Sequence, residues 1–285
     1  MTDLSKYKKN NKIYTGAEEK IGITIDGEDY LVKFRKKGEN GEINNHLSEY
    51  IGSSVFALLG EDVQETFLAT YQGRMVCVCK DFIIEGETFT PFNGVGESSL
   101  ERDKNLYRYT YAEIIDMLNE NTKLTSVKQT VDKFWNMFII DALLGNFDRH
   151  GANWGFIKDK NGYRLAPIFD NGSCLFPRRA TDELMLEALN NEQVRQDLIF
   201  KYPTSQIKFG KSKSSYFEII NKLKFPKCNE ALVRIYQKYD KIKINKFIDN
   251  IDVLTNIQKR FYKQMLDDRF EYILKASYLK LMEKK

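Results

Sequence analysis

The chain has 285 residues, enough for one large domain or a two-lobed one with a substantial buried core. Its 42% hydrophobic and 29% charged residues exclude global disorder, and a net charge of +4 is too mild to demand a nucleic-acid partner. No run approaches the roughly 20 apolar residues of a membrane span, and the polar start MTDLSKYKKNNK lacks a signal-peptide core, which reads as a cytoplasmic origin.

In chain order, residues 1–12 read as a loose lead-in, and structure is expected from Ile13. Ile21, Ile23 and Ile25 alternate up to Asp26-Gly27, and a second run covers Tyr30 to Phe34, so the spacing predicts a β-hairpin. Gly16 stands just before it with Ala17 and Lys20, either as a turn that lets the backbone approach a phosphate or as a plain turn before an edge strand. Lys33 shares a strand face with Leu31, opposite Tyr30, Val32 and Phe34. Residues 42–59 carry Ile43, Leu47, Tyr50, Ile51, Ser54 and Leu58 at helical spacing. Two readings stand for Glu49 there: a partner for Lys33, or a solvated residue on a polar face with Glu42, His46 and Gly52.

Residues 66–71 and 75–84 read as paired strands, with Cys77 and Cys79 as small buried thiols on one face. With Cys174 and Cys228 they show no zinc spacing, so a structural metal site is not expected. Residues 86–100, rich in Gly, Ser and Thr, read as a connector between a first lobe, 13–85, and a helical second one, 101–285. From Ser126 to Leu144 an apolar stripe widens until the polar face disappears, so that helix is buried at its C-terminal end and stops at Gly145. Further helices are expected over 216–223, 230–239 and 257–281. The fold class is α+β, with a smaller β-rich lobe before a mainly helical one.

The segment DALLGNFDRHGANWGFIKDKNGYRLAPIFDNGSCLFP, residues 141–177, carries the chemistry. Asn161-Gly162 signals a two-residue hairpin turn that pairs Lys160 with Tyr163, Lys158 with Leu165 and, if extended, Asn153 with Asp170. Opposed strand residues stand roughly 5 Å apart at Cβ, so the two side chains would share a small hard cation. Asp148 lies in a loop able to fold over the same place. Phosphoryl transfer needs one carboxylate to orient or deprotonate a hydroxyl and oxygen ligands for magnesium; Asp148 suits the first role, Asp170 with Asn153 the second.

GNFDRHGANWGF followed by APIFDNG resembles the signature of the HipA-like bacterial serine/threonine kinases, and the Asp-Arg-His-x-x-Asn core is also similar to that of phosphatidylinositol kinases. The resemblance implies a two-lobed kinase-like fold, ATP and Mg2+ as cofactors, and a protein substrate offering Ser or Thr, the protein itself included. It implies Asp148 as the catalytic carboxylate with His150 beside it, and Asn153 and Asp170 as metal ligands. It further implies a phosphate turn at Gly16 and Ala17 with Lys20 nearby, Lys33 on the nucleotide phosphates with Glu49 as its candidate partner, and a hinge at Lys80, Asp81 and Phe82 that reads the adenine edge. Arg149 reads as pairing with a carboxylate or a phosphate, the structural salt bridge being the favoured reading. The chain departs from the larger family members, which carry a subdomain before the glycine turn and a regulatory serine where Ile13, Tyr14 and Thr15 stand here, so an antitoxin partner is not implied. Small members regarded as exported pro-inflammatory effectors add export to a host cell as an expectation. Two alternatives keep the nucleotide site: a lipid kinase, and a signalling module with little catalysis.

Overall fold

The computed structural model describes residues 1–12, 14, 19–39, 41–92, 94, 110–120, 126–209 and 213–284; Gly16 and Ala17, the expected phosphate turn, lie outside them. The N-terminal part is built on a five-stranded sheet of β1 (Thr2–Asp3), β2 (Lys20–Ile25), β3 (Glu28–Phe34), β6 (Thr66–Tyr71) and β7 (Arg74–Lys80), in the order β1-β6-β7-β3-β2. Between β3 and β6 come a small ribbon, β4 (Lys36–Gly38) with β5 (Gly41–Ile43), and helix α1 (Asn45–Leu58).

The two faces of the sheet are chemically distinct, as strict alternation requires. Ile23, Val32, Phe34, Ala69, Val76 and Val78 form a core on one face. Leu31, Cys77 and Cys79 lie on the other, with Lys33 in the same row, and Tyr50 of α1 packs against them. The expectation for residues 1–12 is corrected here. β1 pairs in parallel with β6, Leu4 is buried in the first core, and Lys9 bridges to Ile23, so the lead-in packs on the sheet. Two residues of ladder are too short to leave a periodic signal.

The segment 86–100, expected to be a connector, contributes β8 (Thr88–Pro91). This strand pairs with β9 (Gly155–Asp159), which pairs with β10 (Gly162–Leu165). The β9–β10 hairpin forms, but its register differs from expectation by two residues: Gly162 faces Asp159, Tyr163 faces Lys158 and Leu165 faces Phe156. Asp159 is the cause, because its Oδ1 accepts the Asn161 N–H at 2.6 Å and starts the turn one residue early. Gly162 then uses its positive φ of 129° in the returning strand. The ladder ends at Phe156–Leu165, so Asn153 and Asp170 are not cross-strand partners.

The remainder is mainly helical: α2 (Tyr111–Glu120), α3 (Val127–Leu144), α4 (Asp182–Asn190), α5 (Glu192–Gln196), α6 (Tyr216–Lys222), α7 (Pro226–Lys238), α8 (Lys241–Asp249) and α9 (Asn256–Arg269), with a short ribbon of β11 (Thr204–Lys208) and β12 (Lys213–Ser215). α9 continues through a π-helical stretch, Phe270–Lys275, into α10 (Ala276–Met282). At the centre is α3, with Phe134, Trp135, Phe138, Ile139, Ile140, Leu143 and Leu144 all buried. Ser126 caps its start by accepting the Gln129 N–H, and Gly145 ends it in the left-handed conformation at φ 61°. Among the described residues no helix is long and apolar enough to cross a membrane.

Candidate active site

The site is assembled from the end of α3, the loop after it, the segment after β10, β3 and α1. Asp141 sits in the last turn of α3 amid apolar neighbours, 1% exposed. A carboxylate there needs partners. It accepts Arg149 Nε at 2.9 Å on Oδ2, and Arg149 Nη2 at 3.1 Å and Asn146 Nδ2 at 2.9 Å on Oδ1. Asn146 in turn accepts the Asp148 N–H on its own Oδ1 at 3.0 Å. The loop that presents Asp148 is therefore fastened to the helix before it by two side chains.

Arg149 does more than form an ion pair. Its Nη1 donates to the carbonyls of Asn153, at 2.9 Å, and Phe169, and its Nη2 donates to Asn171 Oδ1. One planar guanidinium thus joins α3, Asn153 and the residues on both sides of Asp170, a task suited to its fixed fork of donors. This fork performs the gathering that the expected hairpin ladder does not. Burial pushes the guanidinium toward losing its proton, but Asp141 more than offsets this and holds its pKa above the ordinary value.

Asn153 donates from Nδ2 to the Asp148 carbonyl at 2.7 Å, which fixes its amide. Asp148 keeps 42% of its side chain exposed, and His150 Nε2 stands 3.9 Å from its Oδ1. His150 Nδ1 accepts the Ala152 N–H at 3.2 Å, so Nε2 is the nitrogen that carries the proton in the neutral ring. Burial raises the Asp148 carboxyl above the usual range; His150 pulls it down and the charge of Asp170 pushes it up.

Asp170 adopts a left-handed backbone, φ 58°, and accepts Lys33 Nζ at 2.9 Å. Burial pushes its carboxyl up, but the Lys33 ammonium more than compensates and holds it below the ordinary value, with Lys20 adding to the effect. Lys33 also donates to Glu49 Oε2 at 2.7 Å. Glu49 is fully buried, so the solvated alternative for it is overturned. The polar face of α1 that carries His46 and Gly52 packs against the second part of the molecule, where Gly52 meets Asn171 and Cys174. Burial disfavours the Lys33 charge, yet Asp170 and Glu49 hold its pKa well above the ordinary value.

The expected hinge is partly engaged elsewhere. Lys80 donates its N–H to the Glu65 carbonyl and accepts Gln64 Nε2 on its own, each at 2.9 Å, and its ammonium pairs with Glu28. Asp81 donates its N–H to the Asp29 carbonyl at 2.9 Å. Phe82 packs its ring on Phe89 and Phe169. Among the described residues no group of three or more His, Cys, Asp or Glu side chains is placed to hold a metal by itself. Asp170 and the Asn153 amide oxygen offer two hard oxygen donors, a set that suits a cation whose other ligands come from phosphate and water.

Residues that sequence reasoning passed over are Asp141, Asn146, Ser53 and Asn171. Asp141 carried a signal: a lone carboxylate where α3 has lost its polar face. Asn171 reads as a spacer in Asp-Asn-Gly, yet its N–H donates to Glu49 Oε1 at 3.0 Å and its Nδ2 to Ser53 Oγ at 2.9 Å.

Comparison with known proteins gives the family. The chain is 36% identical over 276 residues to the serine/threonine-protein kinase CtkA of Helicobacter pylori strain J99, covering 93% of this chain and 83% of that protein. It superposes on the crystal structure of a Helicobacter pylori proinflammatory kinase CtkA with a TM-score of 0.89 and 31% identity, over 99% of this chain and 98% of the other. The HipA chain of the Shewanella oneidensis MR-1 HipA, HipB and operator DNA complex shares the fold, with a TM-score of 0.53 and 15% identity over 94% of this chain and 67% of its own. Residues 13–229 match the HipA-like C-terminal domain, and the protein belongs to that family.

Proposed function

We propose that the chain is an ATP-dependent serine/threonine protein kinase that transfers the γ-phosphate to hydroxyls of proteins, itself included. The observation that carries this reading is Lys33, a buried ammonium held between Glu49 and Asp170, with Asp148 near enough for Asp170 to raise its pKa. Two carboxylates, Glu49 and Asp170, share the one ammonium of Lys33, an excess of negative charge that fits a divalent cation. Asp170 and the Asn153 amide oxygen are the residues that would hold Mg2+, which neutralises phosphate charge when bound.

In the reaction the acceptor oxygen attacks the γ-phosphorus, and the bond from that phosphorus to the β,γ-bridging oxygen breaks. The hydroxyl proton passes to Asp148, and ADP leaves. His150, with Nε2 3.9 Å from Asp148 Oδ1, flanks that carboxylate and helps to position it. Lys33 steadies the nucleotide phosphates, with Glu49 holding it in place and Lys20 adding charge. With the Lys80 and Asp81 amides engaged, Phe82 is the hinge residue that reads the base edge.

The test is transfer of labelled phosphate from ATP with magnesium, comparing wild type with Asp148→Ala. The acceptors are the protein itself, a generic basic protein and inositol-lipid vesicles. Transfer to protein that is lost in the variant is expected. Equal transfer by both proteins would remove Asp148 from the reaction, and transfer to lipid alone would replace the acceptor class.

A further inference from the structure

The lysine-bearing face of the sheet is organised in transverse rows set by strand register. Lys20 is paired with Lys33, and Lys33 with Cys77, so the first row carries two cations at the Asp170 end. The next row is Gly22, Leu31 and Cys79, without a charge. The third holds Thr24 and Asp29, with Asp81 joined to it through its N–H on the Asp29 carbonyl. Rows on one face are about 7 Å apart along a strand, the order of the separation that a ribose puts between a base and its phosphates.

Tyr14 lies over the middle row. Its ring packs against the Leu31, Cys77 and Cys79 cluster, and the place where Gly22 would carry a Cβ is occupied by Asn10 Oδ1 and lies 3.1 Å from Tyr14 Cε2. A glycine inside a strand commonly marks such a close approach. The Tyr14 hydroxyl is 3.0 Å from Asp81 Oδ2, which also accepts Lys12 Nζ at 2.8 Å. The segment is held further by Asn10, whose N–H donates to the Gly22 carbonyl at 2.9 Å, and by the bridge of Lys9 to Ile23. The ring is thus fastened at its edge, at its hydroxyl and by the chain before it. The residue is only half-buried, which leaves part of it open to a partner.

We propose that Tyr14 is the stacking platform for the nucleotide base, held in place by Asp81 and by the absence of a side chain at Gly22. This rests on the nucleotide-site reading given above. The apolar row under the ring offers no hydrogen-bond code, so the platform supplies affinity for a purine face, whereas Phe82 reads its edge. A ring anchored at three points acts as a fixed wall of the site.

The experiment is calorimetric titration of the full chain with ATP and with inorganic tripolyphosphate, both in magnesium, for wild type, Tyr14→Phe, Tyr14→Leu and Tyr14→Ala. Leucine keeps apolar packing on Leu31 and Cys79, so a folded variant without the ring is available. ATP affinity is expected to fall by roughly 5- to 150-fold in the Leu and Ala variants, the range of one base–aromatic stack. Tyr14→Phe, which keeps the ring but loses the bond to Asp81, should weaken ATP binding less than either of those variants, and tripolyphosphate binding should be unchanged throughout. Unchanged or tighter ATP binding by the Leu and Ala variants would overturn the proposal, the tighter result meaning that the ring blocks the site. Equal weakening toward ATP and tripolyphosphate would also overturn it. Failure of the wild type to bind ATP would instead bring down the nucleotide-site reading itself, and this proposal with it.

Discussion

Glu49 Oε1 accepts the backbone N–H of Asn171 at 3.0 Å, across 122 residues of sequence. Its other oxygen holds Lys33. One buried carboxylate therefore sets the lysine of the first sheet and the backbone beside Asp170 at the same time, so the proposed nucleotide lysine and the proposed metal ligand are coupled through α1.

Replacing Glu49 tests that coupling. Glu49→Gln still offers an oxygen to Asn171 but leaves the Lys33 charge facing Asp170 alone, and phosphate transfer is expected to fall by at least tenfold. Glu49→Ala also leaves the buried Asn171 N–H without its acceptor and is expected to lose roughly 1–3 kcal/mol of stability. Transfer rates and urea unfolding measure the two effects; wild-type values in both would show that the contact is idle.

The contact between Gly52 and Asn171 gives an opposite sign from the ordinary rule. Gly→Ala inside a helix normally stabilises by roughly 0.5–1 kcal/mol. At Gly52 the added Cβ would stand 2.9 Å from Asn171 Cβ and 3.2 Å from Cys174 Sγ, and neither neighbour is the far end of a flexible chain. Gly52→Ala is expected to lower the melting temperature and to reduce transfer by displacing α1. A stabilised, fully active variant would contradict this packing.

The acid limb of activity should report Asp148. With Asp148 as the proposed base, transfer needs its ionised form, and burial raises its pKa, so activity is expected to fall as pH drops through a value above the roughly 4 of a free aspartate. The exposed Lys36 lowers that pKa, and Lys36→Ala is expected to move the limb slightly toward higher pH. Profiles of kcat/KM against pH for the two proteins decide it; a limb at or below that of a free aspartate would exclude Asp148 as the base.

His46, at 2% exposure, gives a separate pH effect on stability. Burial, with Arg35 nearby, depresses its pKa to about 4. Between that value and the ordinary 6.5 the unfolded chain binds the proton and the folded one does not, so stability is present above pH 6.5 and lost as pH falls. The total is on the order of 3 kcal/mol. Melting temperatures from pH 7.5 to 4.5 should fall less steeply for His46→Gln than for wild type; parallel curves would show that His46 is not the group responsible.

Much of the local architecture was legible in the chain because it rests on neighbours within a few residues. The β2–β3 hairpin, α3 with Ser126 and Gly145 at its ends, and the long C-terminal helix follow from periodicity and caps. The order Asp148, Asn153 and Asp170 is the basis in the chain for the proposed chemistry. The same local reading went astray at Asn161-Gly162, where Asp159 competes for the turn and moves the register by two residues.

The sequence by itself determined which elements form, which strand face carries Lys33, and which residue types are available for phosphoryl transfer, since these depend on alternation, capping and short spacing. Only the tertiary structure decided that Glu49 is buried against Lys33, that Arg149 gathers Asn153 and Asp170, that residues 1–12 pack on the sheet and that Tyr14 lies over Gly22. Each of these depends on groups far apart in the chain, as Lys33 and Asp170 are, at 137 residues. Whether a charged or polar side chain is solvated or buried is set by what the rest of the chain packs against it, and no local pattern carries that information.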